Sequence, residues 1–345
     1  MRDFAARVIA WQRIHGRHDL PWQRTGDPYR RWLSEIMLQQ TQVATVIPYF
    51  ERFVAAFPNV QALAAAPIDR VLASWSGLGY YRRAHHLHEA ATHVVENHRG
   101  EFPRDAQTLA TLPGIGRSTA AAIAAFASGE RNAILDGNVK RVLARHRGID
   151  GFPGAPLTAR KLWSIAEAQL PADDVAIYTQ GLMDIGATVC TRVKPRCDAC
   201  PVRDDCVARR DDRIAELPSP RPKRARPQRS VRVLLFERGD EILLEKRPPI
   251  GIWGGLLSLP EIALDHDALA FAKTKFDADA TIVGDLAPIE HGFTHFALTL
   301  YPRRLNVARW PPKVEVPQYL WLGRAEAIDA AIPSPIRKLL RSLNV

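Results

Sequence analysis

The stretch Leu112-Pro113-Gly114-Ile115-Gly116, continued by the Ala-rich run RSTAAAI at 117–123, decides the fold of this chain. Proline sets φ for a tight turn, and the two glycines accept positive φ. Glycines here also let a phosphate approach the bare amides at the start of the second helix. The pattern therefore predicts a helix–hairpin–helix, which binds DNA backbone without reading base sequence. An ordinary tight turn between two helices is the simpler alternative.

The sequence around this hairpin is predicted to be helical up to residue 214. Segments with the apolar spacing of helices are separated by single Pro or Gly residues. These segments cover residues 4–15, 30–57, 68–75, 84–98, 106–112, 119–127, 139–147 and 158–170. We therefore expect an all-α domain over residues 1–214.

A change of composition marks a second domain. Residues 215–230 include LPSPRPKRARPQRS, in which four prolines and a run of basic residues predict an extended linker. The following segments are short and rich in β-formers, at 231–237, 241–246, 282–289, 295–303 and 319–322, with a closing helix at 336–343. We expect an α+β domain over residues 231–345.

All four cysteines of the chain lie within 17 residues, as Cys190, Cys197, Cys200 and Cys206. The polar loop between them cannot build its own core, so a metal centre is expected to order it. A closed zinc site usually has two CxxC pairs, and this loop has one, which favours a 4Fe–4S cluster over zinc. A disulfide is the third alternative, and the absence of a signal-type apolar core at the N-terminus argues against it.

Length, composition and charge set broad limits. A chain of 345 residues with 46% hydrophobic content can bury two cores. Its formal charge of +10 favours polyanionic partners, most often nucleic acid. No apolar run approaches the roughly 18 residues that a membrane span needs. We therefore expect a soluble protein of a reducing, cytoplasmic compartment.

Two carboxylates stand out as candidates for chemistry. Asp136 precedes the predicted helix 139–147, where free amides and the helix dipole stabilise an anion. Glu35 is surrounded in sequence by Leu33, Ile36 and Met37, which would raise its pKa. Separately, a helix cap and a surface glutamate are the simpler interpretations. Together, a neutral acid and an ionised carboxylate are what cleavage of a glycosidic bond requires.

In the order of its motifs the chain resembles the endonuclease III superfamily of DNA glycosylases. The shared features are the hairpin, the aspartate after it and the Cys-x6-Cys-x2-Cys-x5-Cys spacing. Within the superfamily, WLSEIMLQQTQV (32–43), SGLGYYRRA (76–84), LPGIGRSTAAAI (112–123) and LDGNVKRV (135–142) are similar to the adenine-specific branch. That branch removes adenine mispaired with 8-oxoguanine or guanine. The resemblance implies this activity, double-stranded DNA as partner, a monomer, a 4Fe–4S cofactor and a bacterial-type, nucleoid-associated location.

The resemblance also implies roles for individual residues. Glu35 would protonate adenine at N7, Asp136 would stabilise the oxocarbenium ion, and Asn138 would position Asp136. The residues expected to contact DNA are Leu38, Gln40, Tyr80, Pro113, Gly114, Gly116 and Ser118, and the metal ligands are Cys190, Cys197, Cys200 and Cys206.

Ser118 distinguishes between relatives. Bifunctional members of the superfamily carry a lysine at this place, and serine cannot form a Schiff base. We therefore expect a monofunctional glycosylase. Two alternatives stay open: a bifunctional pyrimidine-lesion glycosylase and lyase, and a cluster-bearing DNA-binding protein without activity.

The C-terminal domain resembles a Nudix fold. GIWGGLLSLPE at 251–261 is similar to the opening of a Nudix segment, but the acidic run that holds Mg²⁺ does not follow it. We therefore expect no nucleotide hydrolysis. The resemblance implies instead that Phe293, Thr294 and His295 recognise 8-oxoguanine, with threonine in the place of the usual serine.

Overall fold

The structure is a computed structural model that describes residues 4–222, 226–293, 295–311 and 318–343. The chain divides into two units. One unit comprises Met1–Ala65 and His86–Lys223, and the other comprises Ala66–His85 and Arg224–Val345. The first unit is helical and the second contains the sheet, which confirms the predicted fold class: an all-α domain followed by an α+β domain.

Fifteen helices occur in the described part of the chain. They are α1 Phe4–His15, α2 Pro28–Leu38, α3 Val43–Ala56, α4 Val60–Ala64, α5 Ile68–Trp75, α6 Arg82–Asn97, α7 Ala106–Leu109, α8 Arg117–Ser128, α9 Gly137–Arg147, α10 Pro156–Ala168, α11 Val175–Asp184, α12 Val207–Arg210, α13 Ala268–Phe276, α14 Arg324–Asp329 and α15 Ser334–Ser342. A π-helical turn, Ile185–Val189, continues α11. None of these helices is long and apolar enough to cross a membrane.

A hydrophobic core packs around α9, the helix that Asp136 precedes. Val139, Val142 and Leu143 are fully or almost fully buried with residues of α8, α10 and α11. Two features of this region differ from the sequence-based prediction. The segment 30–57 forms two helices, α2 and α3, because the chain turns at Gln39 and Gln40, and α11 was not predicted.

The described part of the second unit is built on a mixed sheet of eight strands. Five of them lie side by side in the order β3-β2-β1-β7-β5, and the other three pair with strands of this path. The strands are β1 Gln228–Arg238, β2 Glu241–Lys246, β3 Leu257–Ser258, β4 Glu261–Ile262, β5 Asp279–Asp285, β6 Ile289–Gly292, β7 Ala297–Arg309 and β8 Tyr319–Gly323. The long strands β1 and β7 run parallel, and β4, β6 and β8 pair with β1, β7 and β2 respectively. Leu234, Phe236 and Phe276 bury one face of the sheet beneath α13.

One segment groups with the sheet although it lies far from it in sequence. Residues 66–85, which contain α5 and the turn after it, belong to the same unit as the C-terminal chain. Hydrogen bonds join Ser76 to the Ile332 carbonyl at 3.2 Å and His85 to the Gly254 carbonyl at 3.2 Å. This grouping places the predicted DNA-contacting residue Tyr80 in the second unit.

Candidate active site and cysteine centre

In the hairpin at 112–116, Gly114 has the positive φ that the sequence predicts, whereas Gly116, with a φ of −88°, does not. Gly114 has a φ of +77°, and the Ile115 amide donates to the Leu112 carbonyl at 3.2 Å. Ile115 is buried, which anchors the turn, while Gly114 and Gly116 are exposed. Gly116 caps α8, whose first amides lack helical acceptors. The turn and the start of α8 therefore offer bare amides to an anion.

Glu35 lies on the last turns of α2, on a partly buried face. Burial and, to a smaller extent, the charge of Asp136 raise the pKa of Glu35 to about 7, and the guanidinium of Arg31 opposes both. Arg31 lies one turn earlier on α2 and its guanidinium packs over the ring of Phe126, 5.1 Å from its centroid. Glu35 is therefore suited to hold a proton near neutral pH.

Asp136 is the N-cap of α9, as the sequence predicts. Its Oδ1 accepts a hydrogen bond from the Val139 amide at 2.7 Å. Burial nevertheless raises the pKa of Asp136, against the Val139 amide, Arg141 and the Asn138 amide, which lower it. A helix cap alone would lower the pKa of Asp136. Here the pKa is raised, because the cost of burying the charge outweighs the effect of the cap hydrogen bonds. Hydrogen-bond donors favour the anionic form of Asp136, whereas at Glu35 the charge of Arg31 is the cause that lowers the pKa.

Asn138 lies in a network that joins Asp136 to the cysteine loop. Its Oδ1 accepts from Arg141 Nη2 at 2.9 Å, and the same nitrogen donates to the Gly186 carbonyl at 2.7 Å. Arg141 Nε donates to the Cys190 carbonyl at 2.7 Å. A Cβ at Gly186 would lie 2.5 Å from Asn138 Cβ, so glycine is required for this close approach.

The other predicted DNA-contacting residues lie in both units. Ser118 Oγ accepts from the Leu135 amide at 2.9 Å, which ties the start of α8 to the residue before Asp136. Leu38 ends α2 and is partly exposed; Gln40 is exposed in the next turn, with a φ of +57°. Tyr80 belongs to the second unit and is 50% exposed, with a φ of +50°.

The four cysteines line one pocket. Val142, Val189 and Val202 contribute an apolar wall to it. Among the described residues, no three His, Cys, Asp or Glu side chains converge closely enough for a single metal ion. Four thiols around one pocket fit the donor set of a 4Fe–4S cluster, which Cys190, Cys197, Cys200 and Cys206 would hold.

Arg145, at the end of α9, fixes the cysteine loop. It is buried, and Nη1 donates to the Thr191 carbonyl at 2.7 Å and to Cys190 Sγ at 3.5 Å. Its Nη2 donates to the Arg192 carbonyl at 3.0 Å. Burial raises the pKa of Cys200 to about 12, so this thiol needs a cation at the site to ionise. The chemistry that a cluster would supply here is thiolate coordination, which orders the loop.

In the second unit, aromatic rings surround the predicted recognition loop. Phe293 stacks on Phe296 with centroids 4.5 Å apart, and it also contacts His291 and Trp253 at 4.7 and 5.9 Å. Thr294 lies outside the described residues, and His295 beside it is exposed. The helix after the Nudix-like segment, α13, has the sequence ALAFAKTKF and contains no carboxylate.

Sequence reasoning missed the arginines of the site. Asn138, Arg141 and Arg145 are spaced i, i+3, i+7, which places them on one face of α9. That spacing was the signal available in the sequence. It does not show the role of the two arginines, because the carbonyls that accept their hydrogen bonds lie in the cysteine loop, far away in sequence. Arg31 gave no signal, because a basic residue near a helix start usually faces solvent.

Three family models match the chain. The model of HhH-GPD superfamily base excision DNA repair proteins matches residues 33–168, and the NUDIX domain model matches residues 231–342. The model of the iron–sulfur binding domain of endonuclease III matches residues 190–206, the span of the four cysteines.

Full-length relatives are similar over both units. The adenine DNA glycosylase of Buchnera aphidicola subsp. Acyrthosiphon pisum is 34% identical over 99% of this chain and 97% of the relative. That of Homo sapiens is 33% identical over 98% of this chain and 73% of the relative. The solved structure of a thermostable thymine-DNA glycosylase matches with a TM-score of 0.55 and 28% identity over 60% of this chain and 95% of that one.

The helical segment with its hairpin and the cysteine loop, each matched by a family model, define a base excision repair glycosylase of the helix–hairpin–helix superfamily that carries a 4Fe–4S cluster. Within that superfamily the chain belongs to the adenine DNA glycosylases, because relatives of that family match it along nearly its whole length. These matches do not favour the two alternatives, a pyrimidine-lesion lyase and a DNA-binding protein without activity.

Proposed function

We propose that this chain, acting as a monomer on duplex DNA, hydrolyses the N-glycosidic bond of adenine paired with 8-oxoguanine or guanine. The observation that supports this function is the pairing of Glu35, whose pKa is about 7, with Asp136, whose charge acts on it. A protonated acid beside an anion is the arrangement that cleavage through an oxocarbenium ion requires. It stands in the helix–hairpin–helix framework of a DNA glycosylase.

The chemistry then follows from the two carboxyl groups. Adenine must leave the base stack to reach them. Glu35 gives its proton to adenine N7, and the bond between C1′ and N9 breaks with its electron pair going to the base. Asp136 stabilises the positive charge on the sugar. Water adds to C1′ and returns a proton to the Glu35 carboxylate, which restores the enzyme and leaves an abasic site.

Ser118 supports hydrolysis without strand cleavage. Its hydroxyl already accepts a hydrogen bond from the Leu135 amide. A serine has no amine with which to form a Schiff base at C1′, so the sugar–phosphate chain remains intact.

Exposed groups supply the proposed contacts to DNA. The hairpin amides at Gly114 and Gly116 face a phosphate, and Pro113 sets the turn. Leu38 and Gln40, which follow Glu35 at the end of α2 and in the next turn, enter the stack at the vacated position. The cluster loop contributes phosphate contacts through the exposed Arg192, Lys194 and Arg196. Tyr80 is proposed to intercalate beside the base opposite adenine.

The C-terminal unit is proposed to recognise 8-oxoguanine. Phe293, which precedes Thr294 in sequence, packs against Trp253 and His291, and His295, which follows it, is exposed. The threonine hydroxyl can donate to the oxidised base as a serine does, with a methyl group added. Helix α13 contains no Asp or Glu, and no nucleotide hydrolysis is proposed for this unit.

The test uses end-labelled duplexes that differ only in the base opposite adenine: 8-oxoguanine, guanine or thymine. We expect adenine release from the first two, with strand breaks only after alkali, and loss of release in Asp136→Asn. No release from either mispair, or undiminished release by Asp136→Asn, would refute the proposal. Borohydride trapping on an oxidised pyrimidine would instead support the lyase alternative.

A further inference from the structure

The turn that carries Tyr80 has an unusual backbone. It joins α5 to α6, and Gly77, Gly79 and Tyr80 have φ values of +106°, +73° and +50°. Left-handed conformation is readily adopted by glycine but costs energy in tyrosine. The Tyr80 side chain is nevertheless half exposed, so burial of its ring does not account for the conformation. Contacts from the surrounding structure must hold it.

Some of these contacts come from the ends of the flanking helices. Arg83 Nη2 and Trp75 Nε1 donate to the Gly79 carbonyl at 3.1 and 3.2 Å. The Arg83 guanidinium lies 5.2 Å from the centroid of Trp75 and 5.7 Å from that of Tyr80. These groups fix the turn relative to α5 and α6, but they move with it.

A second group of contacts comes from the C-terminal chain. Arg337 of α15 donates through Nη2 to Ser76 Oγ at 2.8 Å, and the Ser76 hydroxyl donates to the Ile332 carbonyl at 3.2 Å. Arg337 is itself held by the carbonyls of Ile328 at 2.9 Å and Ala330 at 2.8 Å. Ser76, the first residue of the turn, is 9% exposed, so water cannot easily replace these partners.

The other end of the segment is also held. His85 Nε2 is hydrogen-bonded to the Gly254 carbonyl at 3.2 Å. A Cβ on Gly255 would lie 2.9 Å from the His85 ring and 3.3 Å from Leu72 Cδ1, which shows how closely these parts approach. The turn with Tyr80 is therefore attached to the C-terminal chain on both sides, before it at Ser76 and after it at His85.

We propose that Arg337 is a positioning residue for Tyr80. Through Arg337, the C-terminal chain acts on recognition of the opposite base by way of the Tyr80 turn, in addition to its own recognition loop. Arg337 contacts no reacting atom; it fixes Ser76, and Ser76 begins the turn that presents the tyrosine. The inference rests on the proposed role of Tyr80 at the base opposite adenine.

The test measures the affinity of the full chain for two duplexes that contain a non-cleavable 2′-fluoro adenosine, opposite either 8-oxoguanine or thymine. Arg337→Met keeps side-chain length but removes the donors, and Ser76→Ala removes their acceptor. We expect each to reduce the preference for the 8-oxoguanine duplex about ten-fold, the effect of losing one charge-assisted hydrogen bond. The matched control is Arg341→Met, at an exposed position one turn further along α15, which should leave the preference unchanged.

A double-mutant cycle separates this inference from the role of Tyr80. Tyr80→Ala should reduce the preference by itself, and Arg337→Met should cost nothing further in that background. If Tyr80→Ala has no effect, the proposed role of Tyr80 fails. If Tyr80→Ala has its effect while Arg337→Met has none, or if the two effects add, the positioning role is wrong. Thermal unfolding monitors folding throughout, and Ser76→Ala decides the question should Arg337→Met fail to fold.

Discussion

The rate of adenine release should depend on pH through the proton held by Glu35. The structure places the pKa of this group at about 7, chiefly through burial and then through the charge of Asp136. Because the acid must be protonated to act, the rate should be highest below this pKa and fall above it. On the acid side the rate should fall again as Asp136 becomes protonated. Because the two carboxyl groups interact, the two limbs of the pH profile report apparent pKa values that belong to the pair.

The size of the alkaline fall follows from the protonated fraction. With a pKa of about 7, roughly one tenth of the enzyme carries the proton at pH 8 and roughly one hundredth at pH 9. Glu35→Gln removes the titrating group, so its alkaline limb should disappear. Its rate at pH 6 should be lower by roughly 10²- to 10⁴-fold, the usual contribution of a general acid.

The assay is single-turnover adenine release with enzyme in excess, from pH 5 to 9 at constant ionic strength. Excess enzyme removes product release from the observed rate. Glu51→Gln, which changes an exposed carboxylate on α3, is the matched control and should keep the alkaline limb. A rate that stays level from pH 7 to 9, or an alkaline limb that persists in Glu35→Gln, would refute the assignment of Glu35 as the acid.

Two substitutions test the surroundings of the carboxylates. Arg31→Met removes a charge that lowers the pKa of Glu35, so the alkaline limb of the pH profile should move to higher pH; a limb that stays in place or moves down contradicts the electrostatic role of Arg31. Gly186→Ala places a Cβ 2.5 Å from Asn138 Cβ, and should lower both the turnover rate and the free energy of unfolding, the latter by about 1–3 kcal/mol. Gly26→Ala, which adds a Cβ in open space, is the control in the thermal unfolding and release assays. Equal behaviour of the two variants would show that the close approach of Gly186 to Asn138 has no consequence.

Local sequence was sufficient for those parts of the fold and site that a few adjacent residues determine. The hairpin turn follows from Pro113 and its two neighbouring glycines, and the cap at Asp136 follows from its place before a helix. The spacing of the cysteines alone favoured a cluster over zinc, and the family model of the same residues agrees. In each of these cases the residues that determine the feature lie within one turn or one loop.

What the sequence did not predict depends on contacts between distant segments. The grouping of residues 66–85 with the C-terminal chain arises from hydrogen bonds such as that between Arg337 and Ser76, 261 positions apart. Helix α11 and the π-helical turn after it contain Gly181 and Gly186, which resemble helix breakers. In the structure they allow close approach, since a Cβ on Gly181 would lie 2.8 Å from Val8.

Helix α9 connects the two centres of the first unit in a way that neither motif reveals alone. Asp136 caps its start, Arg141 joins Asn138 to the Cys190 carbonyl, and Arg145 at its end holds the carbonyls of the cysteine loop. The polar loop needs a metal centre for its order, and these carbonyls are the acceptors for both arginines. Loss of that order would remove the Cys190 carbonyl from Arg141 and the Thr191 and Arg192 carbonyls from the buried Arg145, at a cost in free energy to α9. The geometry of the Asp136 cap and the integrity of the cysteine loop are therefore linked through α9.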